Sequence, residues 1–145
     1  MSILIWLHLL SYYLALAIIT GISVLYLTRS QFMPYHAEAV GRSWHEVDPA
    51  MQNLLLTIIR LLGWAWLAIA CAGALIFNLL SVQNSPLGQW VLFQSFCLLA
   101  TLPVILFICL VKRRTGASPL LMAAVLPAVL SCLGFICVLL VRAQG

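Results

Sequence analysis

The sequence predicts an all-α membrane protein: a four-transmembrane-helix bundle with a short interfacial helix in the loop between the first two spans. Three observations carry this. The 145 residues are 65% hydrophobic and only 7% charged, whereas a water-soluble domain carries roughly 25% charged residues. The apolar residues fall into four runs, each long enough for the ~20 residues that a membrane-crossing helix needs. Three of those runs open with a capping side chain followed by proline, the start signal of a helix. Four such spans use up most of the chain, so a single integral membrane domain is expected, with no room for a soluble enzyme domain.

The first span covers residues 3–27. Trp6 near its start and Tyr26 near its end suit the two interfacial belts. No basic segment precedes the apolar run and no small-residue cleavage pattern follows it, so a removed signal peptide is not expected. The second helix begins at Asp48-Pro49 and continues to residue 80, ~48 Å at 1.5 Å per residue. That exceeds the ~30 Å of a hydrocarbon core. Gln52, Asn53 and Arg60 interrupt its early part, which places the membrane portion at residues 61–80. The third span, residues 87–111, follows Ser85-Pro86, and the fourth, residues 119–141, follows Ser118. Short connectors between spans 2 and 3 and between 3 and 4 make successive helices antiparallel neighbours. Pro103 and Pro127 lie mid-span and are expected to kink their helices. Span 2 carries the small residues Gly63, Ala65, Ala68, Ala72 and Gly73, with Ala65, Ala68 and Ala72 along one stripe, and these suit close helix approach within the bundle or to another subunit.

Residues 28–48 form the long connector and hold the polar chemistry. Met33-Pro34 starts a short helix that Gly41 ends. Ser43-Trp44-His45-Glu46 has the form of a capping box, and Asp48-Pro49 opens the next helix. Phe32, Met33, Tyr35 and Trp44 are expected to rest on the headgroup region. The connector therefore reads as an interfacial elbow, with Tyr35, His36, Glu38, Trp44, His45 and Arg60 as its candidate docking or interfacial residues. Arg60 can snorkel to the headgroups or pair with Glu38, Glu46 or Asp48.

Charge sets the expected orientation. The connector between spans 1 and 2 and that between spans 3 and 4 share one side and hold Arg29, Arg42, Lys112, Arg113 and Arg114. The opposite side holds Arg142. The positive-inside rule puts the elbow in the cytoplasm and both termini in the periplasm, with Lys112, Arg113 and Arg114 as topology-determining residues. The net charge of +4 thus reads as topology, and no nucleic-acid partner is expected.

For chemistry the spans offer little. His8 is the one histidine inside a span, where an ionisable group is a functional candidate. It could serve a haem b or quinone site shared with another chain, because His36 and His45 lie on the opposite side. It could equally be an interfacial histidine bonded to a neighbouring helix. No Asp or Glu falls within a span, which speaks against the proton- or cation-coupled small multidrug transporters. His45-Glu46-Val47-Asp48 lacks the second histidine of the H-E-x-x-H metalloprotease helix, and no metal or catalytic site is expected. The five cysteines lie in apolar runs without C-x-x-C spacing and behave as small apolar side chains.

The run F-M-P-Y-H-A-E-A-V-G-R-S-W, residues 32–44, with the R-L-L-G-W that opens the membrane portion of span 2, resembles small uncharacterised bacterial inner-membrane proteins. The resemblance implies four helices and a bacterial inner (plasma) membrane and carries over no functional residues. The expected function is a non-catalytic accessory or scaffold subunit of an inner-membrane complex, with the lipid bilayer, other membrane subunits or a homo-oligomer as partners. Alternatives are a redox-linked membrane anchor using His8 and a small transporter or channel.

Overall fold

The computed structural model describes residues 3–83, 85–116 and 121–144. Among these, the chain forms five α-helices and one 3-10 turn: α1 (Ile3–Thr28), α2 (Pro34–Val40), the turn Trp44–Glu46, α3 (Pro49–Val82), α4 (Leu87–Thr115) and α5 (Leu121–Ala143). The described residues contain no strand. Four helices, α1, α3, α4 and α5, are long and apolar enough to cross a membrane.

The helix boundaries follow local chemistry. Asp48 accepts hydrogen bonds from the backbone N–H groups of Ala50 (3.0 Å) and Met51 (3.4 Å), so the first turn of α3 has its orphan donors satisfied. At 34 residues, α3 is ~51 Å long, more than the ~30 Å of a hydrocarbon layer. Gly41 ends α2 at φ 68° and Gly116 ends α4 at φ 71°. Both are left-handed positions that a Cβ disfavours.

One expected cap differs. The N-cap of α4 is Pro86 rather than Ser85, and the buried Ser85 hydroxyl has no hydrogen-bond partner. The Ser85 carbonyl instead accepts from the Arg142 guanidinium at the end of α5, which ties the α3–α4 connector to the last turn of the bundle. Ser118-Pro119, the start signal of the fourth span, lies outside the described residues.

In the bundle α1 is central. It packs along both α3 and α5, and α5 packs on α4, whereas α3 and α4 are sparsely packed on each other. The α1–α3 contact uses glycine: a Cβ on Gly63 would stand 2.9 Å from the Leu27 side chain and 3.1 Å from the Ser23 carbonyl. The buried face of α3 is Ile59, Gly63, Ala70, Gly73, Phe77 and Leu80. The expected Ala65–Ala68–Ala72 stripe is turned away from it, with Ala65 and Ala68 exposed. Outward faces are strongly apolar: Leu61, Leu99, Leu106 and Phe107 are each more than 65% exposed. Soluble proteins do not present apolar surface on this scale.

Candidate functional site

Two internal regions stand out. The first is an aromatic core at the end of the bundle remote from α2. His8, Tyr12, Phe77, Trp90 and Phe93 are buried there, with the His8 ring 4.9 Å from Trp90, 5.4 Å from Tyr12 and 5.5 Å from Phe77. His8 Nδ1 lies 3.2 Å from the Gly134 carbonyl. A carbonyl only accepts, so Nδ1 carries the proton and a neutral ring keeps its Nε2 lone pair. Gly134 has a second duty, since a Cβ there would stand 2.7 Å from the Tyr12 ring.

Beside this, the Tyr12 hydroxyl donates to Gln94 Oε1 at 3.0 Å, and Gln94 Nε2 donates to Ser131 Oγ at 3.3 Å. Three helices are thereby joined through buried polar groups. Tyr13 donates to Asn78 Oδ1 at 2.8 Å, joining α1 to α3. The hydroxyls of Ser11, Ser23, Ser95 and Thr101 donate to carbonyls four residues back, the usual way to satisfy such groups in an apolar surround.

The second region is a cavity of about 450 Å³ at the α2 end of the bundle, walled by all four long helices. Ile19, Ile22 and Tyr26 of α1, Trp66 of α3, Val104 and Ile108 of α4, and Pro127 of α5 line it. Met33 and Tyr35 of the elbow lie across it, and α2 reaches over to contact α4. The Tyr26 and Tyr35 hydroxyls are 2.6 Å apart, the main polar feature of an otherwise apolar wall. A smaller space of about 30 Å³ adjoins it: Ile19, Thr101 and Pro127 line both, and Tyr12 and Ser131 line the smaller one. The internal space thus runs from the elbow toward the Tyr12–Gln94–Ser131 joint. Pro127 lacks the N–H that would bond the carbonyl four residues back, that of Ala123, itself a cavity residue.

The elbow is a built structure. Ser43 N–H donates to the Glu46 carboxylate at 3.0 Å, and Gln52 Nε2 donates to both the Trp44 and Val47 carbonyls, at 2.8 and 2.9 Å. Gln52, which the sequence offers as an interruption of span 2, therefore staples the 3-10 turn to α3. Phe32 and Met33 are buried in the protein rather than laid on a headgroup layer. Phe32 packs edge-on against Trp44 at 4.6 Å, and Met33 faces the cavity.

Of the candidate docking residues, Tyr35 is half-buried against Tyr26, and burial followed by that hydroxyl contact pushes its phenol above the ordinary value, while Arg29 acts the other way. His36 packs on the Tyr35 ring at 4.2 Å, and burial lowers its pKa. Glu38, His45 and Arg60 are exposed and Trp44 is half-buried. Lys112, Arg113 and Arg114 occupy the last turn of α4. The structure therefore gathers Tyr35, His36 and Trp44 into the elbow's inner face and leaves Glu38, His45 and Arg60 outside it. Glu46 and Asp48, offered as partners for Arg60, cap the elbow and α3 instead.

Two features escape sequence reading: the Tyr26–Tyr35 pair and the cavity. On these helices the exposed side is apolar, and the few buried polar groups mark the inward side without showing where a gap lies between helices. The i, i+3, i+4 spacings of Ile22, Leu25 and Tyr26 and of Val104, Phe107 and Ile108 are the available hints. No group of three or more His, Cys, Asp or Glu that could hold a metal ion occurs among the described residues. The chain matches no protein-family model, no curated protein and no solved structure.

Proposed function

We propose that the chain is a multi-pass protein of the bacterial inner membrane and serves as a non-catalytic accessory or scaffold subunit of a membrane complex. Its elbow faces the cytoplasm and both ends of the chain face the periplasm. The supporting observation is how the polar groups within the long helices are used. His8, Tyr12, Tyr13, Asn78, Gln94 and Ser131 serve as joints between helices, a structural role for polar groups in a bilayer. The elbow, by contrast, is stapled and capped, and presents Glu38 and His45 outward. An ordered polar projection above an apolar bundle fits docking.

Purification of the full chain in mild detergent tests this. The expected result is a second polypeptide at fixed stoichiometry, lost when Glu38→Ala and His45→Ala are combined. Recovery of this chain alone, as monomer or homo-oligomer, counts against the reading.

A second reading, a redox-linked anchor sharing a haem b or quinone through His8, has one observation in its favour. An Nδ1–H to carbonyl bond is how a ligating histidine is commonly oriented. The aromatic rings around His8 support a packing role instead. An absorption spectrum decides the haem version: a wild-type preparation without a Soret band, or with one unchanged in His8→Ala, sinks it.

A further inference from the structure

We propose that the 450 Å³ cavity under the elbow binds one acyl chain of an anionic phospholipid, which enters from the bilayer between α3 and α4. Its phosphate would lie at the Tyr26–Tyr35 hydroxyl pair beside Arg29. The inference rests on the membrane reading above and adds a ligand to it.

Shape comes first. The helices form a ring in the order α3, α1, α5, α4, and the α3–α4 seam is the sparsely packed one. Leu25 of α1, Leu62 of α3 and Phe107 of α4 line the cavity and are also exposed at the surface, and the last two flank the sparsely packed seam. A lateral opening in an apolar wall admits a lipid chain and excludes a water-soluble ligand. At ~30 Å³ for a water-sized group, the volume takes about fifteen such units. That is room for one chain of ordinary length. The smaller space beyond Thr101 and Pro127 continues the path toward the bundle centre.

Charge and hydrogen bonding choose the head. The mouth carries two phenol hydroxyls 2.6 Å apart. One proton lies between them, and the other is available to an oxygen acceptor. The charge of Arg29 acts on the Tyr35 hydroxyl. Lys112 stands one turn beyond Ile108, a cavity residue of α4, on the same side of the helix, with Arg113 and Arg114 following. Against these stand the elbow's three carboxylates, Glu38 one turn along α2 from Tyr35 and Glu46 and Asp48 in their caps, fewer than the four basic groups Arg29, Lys112, Arg113 and Arg114. The mouth is therefore net positive, and each basic group close to a membrane surface favours an anionic lipid roughly fivefold.

Trp66 lines the cavity and reports its occupant. The full chain is placed in phosphatidylcholine vesicles holding equal mole fractions of bromine-labelled phosphatidylglycerol or bromine-labelled phosphatidylcholine. Quenching of Trp66 is read as the difference between wild type and Trp66→Phe. The expected result is half-quenching at a roughly fivefold lower fraction of phosphatidylglycerol, a preference that shrinks in Arg29→Gln. Equal quenching by the two lipids overturns the proposal, and so does stronger quenching by a brominated free fatty acid.

A measurement without tryptophan variants stands beside it. Mass spectrometry of wild type, released from mild detergent after exposure to equal amounts of both lipids, is expected to show one retained phosphatidylglycerol. Retention of neither, or of both equally, overturns the proposal. Flotation with the vesicles separates the two readings: a chain that fails to float overturns the membrane assignment along with the site, whereas one that floats without lipid preference overturns the site alone.

Discussion

Gly134 is the residue on which the aromatic end of the bundle depends. Its missing Cβ leaves room for the Tyr12 ring, and its carbonyl receives the His8 proton. In Gly134→Ala the new methyl would meet ring carbons of Tyr12 at 2.7 Å, within a core that gives little. Overpacking of this kind costs about 1–3 kcal/mol. A lowered thermal midpoint in detergent is expected, and an unchanged midpoint would show that α1 and α5 can separate without loss. Tyr12→Phe removes only the hydroxyl that donates to Gln94. A cost of about 0.6–2 kcal/mol fits an interhelical hydrogen bond in an apolar surround, measured by the same unfolding.

His36 makes the elbow pH-sensitive. Burial holds its pKa below 6.5, so the unfolded segment binds the proton more readily than the folded one. The stability it contributes is complete above the unfolded value and is lost as pH falls through 6.5 toward the folded pKa. The Met33 N–H points at His36 Nδ1 at 3.4 Å, an acceptor that protonation removes. The protection of α2 amides, taken relative to their intrinsic exchange rates, should therefore fall as the pH is lowered below about 6.5, and His36→Asn should flatten that dependence.

At the scale of elements, α3 and the elbow act as one unit. Asp48 caps the helix that carries Gln52, and Gln52 holds the turn that contains Trp44. Asp48→Ala is expected to cost about 1 kcal/mol, confined to the first turns of α3 and seen as faster exchange at Ala50 and Met51. Gln52→Ala should instead loosen the Trp44 turn and leave the helix start intact. If both variants loosened the same amides equally, the division of labour between cap and staple would be wrong. The α3–α4 pair shows the converse case. A short connector makes them neighbours in sequence, yet their main partners are α1 and α5, and the sparse seam between them is the entrance proposed for the lipid.

At the scale of the whole molecule, charge placement supports the proposed orientation. Arg29, Arg42, Lys112, Arg113 and Arg114 gather at the elbow end, and Arg142 is clamped to the Ser85 carbonyl at the other. A reporter fused after Gln144 is expected to read periplasmic, and replacing Lys112, Arg113 and Arg114 by Gln should weaken or invert that result. A cytoplasmic reading in wild type would reverse the assignment.

The sequence alone determined the four long helices, the short α2 with its Gly41 end, the Asp48 cap and the location of the polar elbow. These depend on local signals: run length, proline and glycine positions, and short-range capping. Only the tertiary structure decided which faces point inward. Gly63 and Gly73, rather than the Ala65–Ala68–Ala72 stripe, make the close approach to α1, and Phe32 and Met33 turn into the protein. The Tyr26–Tyr35 pair joins residues of two different helices above a cavity built from all four long ones. In a soluble helix the polar face reveals the buried one. Here the outward faces are apolar and the few polar groups, among them His8, Ser11, Gln94 and Ser131, lie inward, so which apolar residues join them inside is decided by fit, a property of the assembled bundle.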